Sequence, residues 1–300
     1  MAINESEASI KTLFITGGSG FLGWNLVKSL KDTHRVYASY HTYPIRAERC
    51  TALKLNICDR SAVRETLEAI KPDVIFHTAA LAKVDLCEKN KELAYQINVE
   101  GTKNLVVESP KHSRFIYIST DLVFNGRQSF YRETDPPDPL NFYGETKLLG
   151  ETVTAQNAAN YLVIRTSLMY GYGNDFNEGF LGWLRKSLNQ RAKVKLFVDQ
   201  YRTPLLVSEA VKALGEVAMA PARGEVFHLA GSERINRYEF GRKFTRIFGY
   251  PEDLLEPATM EQVLTARMPA DCSLHIHKIQ GFLSFRLSNV ERGLKKLRTL

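Results

Sequence analysis

A glycine-rich turn near the amino terminus limits the folds available to this chain more than any other feature. The turn, Thr16-Gly17-Gly18-Ser19-Gly20-Phe21-Leu22-Gly23, follows a short apolar run, Lys11–Thr16, and opens a stretch with helical apolar spacing, Phe21–Leu30. Glycines allow a tight turn and close backbone approach, and a helix N-terminus presents free N–H groups to a pyrophosphate. The sequence therefore predicts a Rossmann unit that binds a dinucleotide. The expected contacts of the turn are Gly17, Ser19, Gly20, Phe21, Leu22 and Gly23.

Short apolar runs alternate with helical patterns through the first half of the chain, which is typical of a doubly wound parallel α/β sheet. The predicted strands are Lys11–Thr16, Arg35–Tyr40, Val74–His77, Phe115–Ser119 and Leu162–Arg165. The predicted helices are Phe21–Leu30, a helix capped by Ser61 that ends before Pro72, Glu92–Val107, and Tyr143 to about Ala155.

The second half of the chain is less regular and predicts a smaller, interleaved C-terminal substrate lobe. Its predicted elements are the helices Asn177–Leu188, Ser208–Met219, Arg237–Phe248 and Leu287–Leu300, and the strands Val194–Phe197 and Val226–Leu229. We expect residues 1–170 to form the dinucleotide-binding domain, which also receives approximately 198–220. Residues 171–197 and 221–300 are then the substrate-binding lobe.

A tyrosine and a lysine stand four residues apart on one predicted helix, in Tyr143-Gly144-Glu145-Thr146-Lys147. At this spacing both side chains share a helix face. A nearby cation favours the phenolate, so the phenol can exchange a proton closer to neutrality. Ser119-Thr120-Asp121 ends a predicted strand, at the edge where parallel sheets bind ligands. A hydroxyl there can hydrogen-bond a substrate carbonyl.

The position that selects the dinucleotide lacks an acid. Rossmann proteins that prefer NAD place Asp or Glu about 20 residues after the glycine turn, and here Tyr40 stands at that place, with no carboxylate before Glu48. An acid would repel a 2′-phosphate, so its absence favours NADP(H) over NAD(H). The expected contacts of this end of the cofactor are Ser39, Tyr40, His41 and Arg46.

These motifs together resemble the extended short-chain dehydrogenase/reductases over nearly the whole chain. Within that superfamily the chain is most similar to the dTDP-4-dehydrorhamnose reductase group. That similarity lies in Ser119-Thr120-Asp121-Leu122-Val123-Phe124, in Tyr143-Gly144-Glu145-Thr146-Lys147-Leu148-Leu149-Gly150-Glu151, and in Asp199-Gln200-Tyr201-Arg202-Thr203-Pro204. The resemblance implies an NADPH-dependent reductase of the keto group of a nucleotide-linked sugar.

The resemblance also implies residue roles. Tyr143 would donate the proton, Lys147 would bind the nicotinamide ribose and lower the pKa of Tyr143, and Thr120 would orient the carbonyl, with Ser119 as the fallback. Further cofactor contacts are implied at Asn56, Ile57, Ala79, Ala80, Asn98 and Lys147. Substrate contacts are implied at Thr120, Asp121, Val123, Phe124, Tyr143 and Arg202.

Two departures from the family pattern and three alternatives stay open. Asn56 replaces a common Asp, and Arg202 replaces a Gly, which leaves the sugar nucleotide unidentified. A sugar-nucleotide epimerase with a tightly bound cofactor has the same fold, and a 4,6-dehydratase fits less well because Leu122 stands where an acid is expected. The regulatory subunit of methionine adenosyltransferase resembles this reductase group, so a non-catalytic role is the third alternative.

Composition restricts the class of protein and its partners. The 300 residues are 44% hydrophobic and 24% charged, with a formal net charge of +7. The basic residues are scattered and nucleic-acid motifs are absent, so we expect a solvated basic surface that is compatible with an anionic nucleotide-type substrate, and no nucleic-acid partner. No run approaches the ~20 apolar residues that span a bilayer. Four scattered cysteines predict reduced thiols and no metal site. With a polar start unlike a signal peptide, the chain is predicted to be cytoplasmic, and a homodimer is possible.

Overall fold

The glycine turn lies at the carboxyl edge of a seven-stranded parallel β-sheet. The computed structural model of the chain describes residues 10–264 and 266–299. The first nine residues, on which the localisation prediction partly rests, lie outside the described residues, as does Leu300 at the end of the last predicted helix.

The strands are β1 (Thr12–Thr16), β2 (Arg35–Tyr40), β3 (Cys50–Lys54), β4 (Val74–His77), β5 (Arg114–Thr120), β6 (Tyr161–Thr166), β7 (Met169–Tyr170), β8 (Val194–Phe197), β9 (Tyr201–Arg202), β10 (Leu205–Leu206), β11 (Glu225–Leu229), β12 (Ile235–Asn236) and β13 (Leu255–Ala258).

The α-helices are α1 (Phe21–Leu30), α2 (Arg60–Ile70), α3 (Val84–Lys89), α4 (Lys91–Tyr95), α5 (Gly101–Glu108), α6 (Phe142–Asn157), α7 (Gly179–Asn189), α8 (Val207–Met219), α9 (Arg237–Phe248), α10 (Met260–Val263), α11 (His277–Gln280) and α12 (Val290–Arg298). A π-helical segment, Gln96–Glu100, joins α4 to α5, and 3₁₀ turns occupy Asp121–Val123 and Glu252–Leu254.

The strand order β3-β2-β1-β4-β5-β6-β11 confirms the predicted doubly wound sheet. The order reverses between β1 and β4, and open α/β sheets bind ligands at such a crevice. Helices α1 and α8 pack on one face of the sheet, and α2, α5 and α6 lie together on the other. The loops after β1, β4 and β5 therefore meet at one edge.

A second apolar cluster lies outside the sheet and is built from α7, α9 and α12 with the paired strands β8 and β13. The helix predicted over Leu287–Leu300 is shorter and amphipathic, because Leu294 and Leu297 are buried in this cluster while its basic residues remain exposed. Among the described residues, no helix combines the length and the apolar character needed to cross a membrane.

Three sequence-based expectations need correction. Helix α2 is capped by Asp59, whose carboxylate accepts from the Ala62 amide at 3.1 Å, and not by Ser61. The single helix predicted over Glu92–Val107 is interrupted by the π-helical segment. The division that placed 221–300 in the substrate lobe is wrong for β11, because that strand pairs with β6 and completes the large sheet. The other boundaries of that division remain a prediction.

A capping box sets the start of α9. The Asn236 side chain accepts from the Glu239 amide at 2.8 Å, and the Glu239 side chain accepts from the Asn236 amide. We expect Asn236→Ala to lower the free energy of unfolding by about 1 kcal/mol, because it leaves a first-turn amide without its acceptor. Thermal unfolding measures the change, with Ser232→Ala, an exposed serine, as the control. Equal midpoints for the two variants would contradict the expectation.

Candidate active site

A cleft of about 440 Å³ opens at the carboxyl edge of the sheet, and we call it the central cleft. Its walls come from the start of α1, from the loop after β4, from the end of β5, from α6 and from α9. The residues that border it and carry the argument below are Gly20, Phe21, Leu22, Ala80, Ser119, Thr120, Asp121, Tyr143, Lys147, Ser167, Arg202 and Arg237. Segments that are more than 200 residues apart in the sequence therefore meet at this cleft.

The glycine turn is folded tightly against the sheet. Gly17 has φ +66°, and a Cβ on it would lie 2.8 Å from the Ala79 backbone. A Cβ on Gly23 would lie 2.2 Å from the Gly17 carbonyl oxygen. The Gly18 amide donates to the Ser39 carbonyl at 2.7 Å, which ties the turn to the end of β2. Only glycine fits at both ends of this turn.

The first turn of α1 presents amides to the central cleft. Gly20 is the N-cap residue and has no side chain to satisfy them, and the Phe21 and Leu22 amides donate no hydrogen bond within the described residues. Unsatisfied N–H groups at a helix N-terminus attract phosphate oxygens. The residues at this place fit a dinucleotide pyrophosphate.

The loop after β4 forms the floor of the cleft, and buried polar side chains hold it. The Ala79 amide donates to Thr16 Oγ1 at 3.2 Å, and Ala80 borders the cleft. Asn98, in the π-helical segment, accepts from the Leu81 amide at 2.8 Å and donates to the Leu81 carbonyl at 3.1 Å. Asn98 does not border the cleft, so the structure gives it a role in shaping the loop rather than the predicted direct contact with cofactor.

Thr120, Tyr143 and Lys147 all border the central cleft, as the motif spacing predicted. Asn141 caps α6 by accepting from the Gly144 amide at 2.9 Å, which fixes the helix that carries Tyr143 and Lys147. The Lys147 ammonium lies 4.1 Å from the centre of the Tyr117 ring. The Tyr117 hydroxyl also donates to the Lys147 carbonyl at 3.2 Å, so β5 fixes this turn of α6.

Burial is the largest influence on the pKa values of Tyr143 and Lys147. Burial raises the pKa of the Tyr143 phenol, Asp121 adds to the rise, and a hydrogen bond with Thr120 opposes it. Burial lowers the pKa of Lys147 to about 7, and Glu151 opposes that shift. The expectation that Lys147 lowers the pKa of Tyr143 is not met in the chain by itself, because loss of hydration outweighs any attraction between the two groups.

Asp121 is a buried carboxylate at the centre of the site. It accepts from Thr120 Oγ1 at 3.1 Å and from Ser167 Oγ at 3.0 Å, and Arg202 Nε lies 3.3 Å from its Oδ2. Burial raises the pKa of Asp121, and Arg202 is the foremost of the groups that oppose the rise. This network connects the predicted Thr120, Asp121 and Arg202.

A second cleft, also about 440 Å³, lies beside the start of α1, and we call it the outer cleft. Its lining includes Ser19, Trp24, Lys28, Arg46 and Asp175. The segment after β7 closes over it, since Asn174 donates to the Ser19 carbonyl at 2.9 Å and the rings of Tyr43 and Phe176 stack with centroids 4.6 Å apart. The predicted Arg46 reaches this cleft, Ser39 is buried beneath the turn, and Tyr40 and His41 follow at the end of β2.

Some predicted contacts lie elsewhere. Val123 and Phe124 are fully buried and pack with Tyr131 in a cluster behind the cleft, so the direct substrate contact expected of them needs correction. Their apolar side chains point into this cluster because they have no polar group to satisfy at the edge. Ile57 is buried against Gly101, and Asn56 is exposed and accepts from the Cys58 amide at 3.1 Å. Neither borders the central cleft or the outer cleft.

Sequence reasoning missed three residues of the site. Ser167 follows the strand predicted over Leu162–Arg165 and was assigned no role, and Lys28 and Arg237 were predicted only as members of helices. A signal existed for Arg237, because it is a basic residue in the first helical turn, where a cation is unfavourable beside the helix dipole. Within residues 10–264 and 266–299, no group of three or more His, Cys, Asp or Glu side chains could hold a metal ion.

Comparisons with known proteins agree with this geometry. Residues 11–299 match the family described as RmlD substrate binding domain. The chain is 31% identical over 290 residues to the probable low-salt glycan biosynthesis reductase Agl14 of Haloferax volcanii, covering 95% of this chain and 96% of that protein. It is 30% identical over 302 residues to the methionine adenosyltransferase 2 subunit beta of Mus musculus, covering 97% and 89%.

Among solved structures, a dTDP-4-dehydrorhamnose reductase of Bacillus anthracis in complex with NADP superposes with a TM-score of 0.85. The two sequences are 26% identical, and the superposition covers 97% of this chain and 99% of that one.

The lowered pKa of Lys147 makes the stability of the chain depend on pH. Between the folded pKa near 7 and the unfolded value near 10.5, the unfolded chain binds more protons, so stability rises with pH across this window. We expect wild type to gain about 2 kcal/mol more than Lys147→Met between pH 7 and pH 9. Chemical unfolding at several pH values measures the difference, and Lys103→Met, at an exposed lysine, is the control. Parallel profiles for wild type and Lys147→Met would contradict the burial of this ammonium.

Proposed function

The chain belongs to the RmlD substrate binding domain family, and from that premise we propose that it reduces the keto group of a nucleotide-linked sugar with NADPH. Its solved neighbours are NAD(P)-dependent oxidoreductases and dehydratases of the extended short-chain type. The observation that carries the proposal is that Thr120, Tyr143 and Lys147 border the same cleft as the free amides of α1. A dinucleotide held by those amides would place its reactive ring beside the phenol.

Bound NADPH supplies the hydride for the carbonyl carbon, and the protein supplies orientation and a proton. Burial keeps the Tyr143 phenol protonated at neutral pH, so it can protonate the developing alkoxide of the substrate. Thr120 lies beside the phenol. Its single hydroxyl proton is donated to Asp121 at 3.1 Å in the chain by itself, so that proton would have to turn toward the substrate oxygen for Thr120 to hydrogen-bond it.

Lys147 would restore the proton that Tyr143 gives up. Its pKa of about 7 lets it exchange a proton with solvent near neutrality. Once the phenolate forms, the ammonium and the phenolate attract each other in a cleft with little water, which favours the charged pair. The buried Glu151, which accepts from Ser119 Oγ at 2.5 Å, also favours the protonated lysine.

The outer cleft supports the preference for NADPH. Lys28 and Arg46 border it against one acid, Asp175, and a 2′-phosphate carries about two negative charges at neutral pH. The relative from Bacillus anthracis was solved with NADP.

A non-catalytic role is the second candidate, and the 30% identity to the methionine adenosyltransferase 2 subunit beta favours it. A regulatory subunit does not need a proton donor and a lysine at the cofactor site, yet Tyr143 and Lys147 are both present here. The two roles differ in turnover: a stoichiometric protein partner without reductase activity would favour the regulatory role.

An epimerase would retain its dinucleotide through purification, whereas a reductase exchanges it at each turnover.

Tyr143→Phe tests the proton donor. We expect NADPH affinity to stay within about twofold and kcat to fall by about 10²- to 10⁴-fold, because only the phenolic hydroxyl that donates the proton is removed. NADPH oxidation is followed by absorbance with dTDP-4-dehydrorhamnose as the substrate, and cofactor affinity by titration. Unchanged turnover in Tyr143→Phe would refute the mechanism.

Arg46→Ala tests the cofactor preference. We expect wild type to bind NADPH at least about tenfold more tightly than NADH. We expect Arg46→Ala to weaken the binding of NADPH alone by about 5- to 10-fold, since it removes one positive charge that would pair with the 2′-phosphate. Arg49→Ala, at an exposed arginine that pairs with Asp32 at 3.2 Å, is the matched control. A tenfold preference of wild type for NADH would overturn this part of the proposal.

A further inference from the structure

Two arginines reach the central cleft from the substrate side, and their environments differ. Arg202 ends β9 and lies beside Asp121, whereas Arg237 is the first residue of α9. The family resemblance implied a substrate contact at Arg202, as at the family arginine that meets the phosphates of a nucleotide sugar. Its hydrogen bonds point to a different role.

Each of the three guanidinium nitrogens of Arg202 has a partner within the protein. Its Nε lies 3.3 Å from Asp121 Oδ2, Nη1 donates to the Tyr201 carbonyl at 2.6 Å, and Nη2 donates to the Pro269 carbonyl at 3.2 Å. The side chain is 4% exposed. Nη1 and Nη2 each have one further N–H group, but a phosphate that paired with Nε would displace Asp121, which also accepts from Thr120 Oγ1.

The guanidinium of Arg237 is held but not satisfied. Its Nε donates to Gln200 Oε1 at 3.1 Å, and its plane lies 4.6 Å from the centre of the Phe180 ring. These two contacts fix its orientation. Nη1 is enclosed by protein and has no hydrogen-bond partner among the described residues.

The charge balance of the substrate side favours an anion. Asp121 is the one carboxylate among the described residues that border the central cleft, and it is paired with Arg202. The positive charge of Arg237 is therefore not paired with a carboxylate that borders the cleft. Burial lowers the pKa of Arg237 to about 9, with Arg202 adding to the shift, and it keeps its proton at neutral pH. Nη2 is not enclosed and has no hydrogen-bond partner among the described residues, so it can form a charge-assisted hydrogen bond to a phosphate oxygen in the cleft.

We propose that Arg237, rather than Arg202, binds the diphosphate of the substrate, and that Arg202 is a positioning residue that holds Asp121. The inference rests on the proposed function for the identity of the ligand as a nucleotide-linked sugar. Its physical content is narrower: a diphosphate group occupies the substrate side of the central cleft and takes a charged hydrogen bond from Nη2 of Arg237, since Nη1 is enclosed by protein.

Calorimetric titration with thymidine diphosphate and uridine diphosphate, on protein saturated with NADP⁺, tests the inference without any turnover. We expect Arg237→Met to weaken binding by about 10- to 100-fold, because the positive charge and its charge-assisted hydrogen bond are lost. Arg237→Lys keeps the charge but not the guanidinium geometry and should lose less. Arg234→Met is the matched control, since Arg234 pairs with Asp271 and lies over the Tyr201 ring outside the cleft.

The pair Arg237→Lys and Arg202→Lys separates binding from positioning. We expect Arg202→Lys to lower the unfolding midpoint and kcat while changing diphosphate affinity less than Arg237→Lys does. An unchanged affinity in Arg237→Met, or a larger loss of affinity in Arg202→Lys than in Arg237→Lys, would overturn the inference.

Failure of the inference and failure of the proposed function give different results. Wild type that binds NADPH but neither nucleoside diphosphate overturns the inference and leaves the reductase proposal to its own test. Diphosphate binding that depends on Arg237, without any reduction of a keto sugar, supports the inference and counts against the reductase.

Discussion

The close packing of α1 against the turn that precedes it sets the position of everything at the carboxyl edge of the sheet. Gly23 lies so near the Gly17 carbonyl that no side chain fits between them. Gly17 in turn lies against Ala79, which joins the end of β1 to the loop after β4. The free amides of α1, the floor of the cleft and the end of β5 are therefore fixed relative to one another before any ligand binds.

Desolvation is the second constraint, and it shapes the chemistry of the site. The phenol of Tyr143 and the ammonium of Lys147 both lose hydration, which moves their pKa values in opposite directions and favours the neutral forms. A reaction that transfers a proton from Tyr143 to substrate creates charge where the lysine is available to compensate it. In the protein alone, Tyr143 therefore still carries the proton that it would donate. The phenolate and the ammonium would form together only during the reaction.

Local patterns were sufficient for much of the site. The spacing of Gly17, Gly20 and Gly23 predicted the pyrophosphate turn, and the Tyr143–Lys147 spacing predicted two side chains on one face of α6, because both features depend on neighbouring residues of one helix. Val123 and Phe124 were misplaced for the converse reason. Their strand-end position suggested the cleft, but their apolar side chains pack against Ala230 and Cys272, which come from distant segments.

The sequence by itself determined the doubly wound fold class, the dinucleotide turn and the three residues expected to act on a carbonyl, since alternation, glycine spacing and helical spacing are encoded within short segments. It did not identify β3, and it did not place β11 in the sheet. Only the tertiary structure decided which arginine is free. Arg202 meets Asp121 and the Pro269 carbonyl, and Arg237 meets Gln200 and Phe180, through contacts that span 37 to 81 residues of chain. Whether a charge is satisfied depends on partners that folding brings together, and no local pattern specifies them.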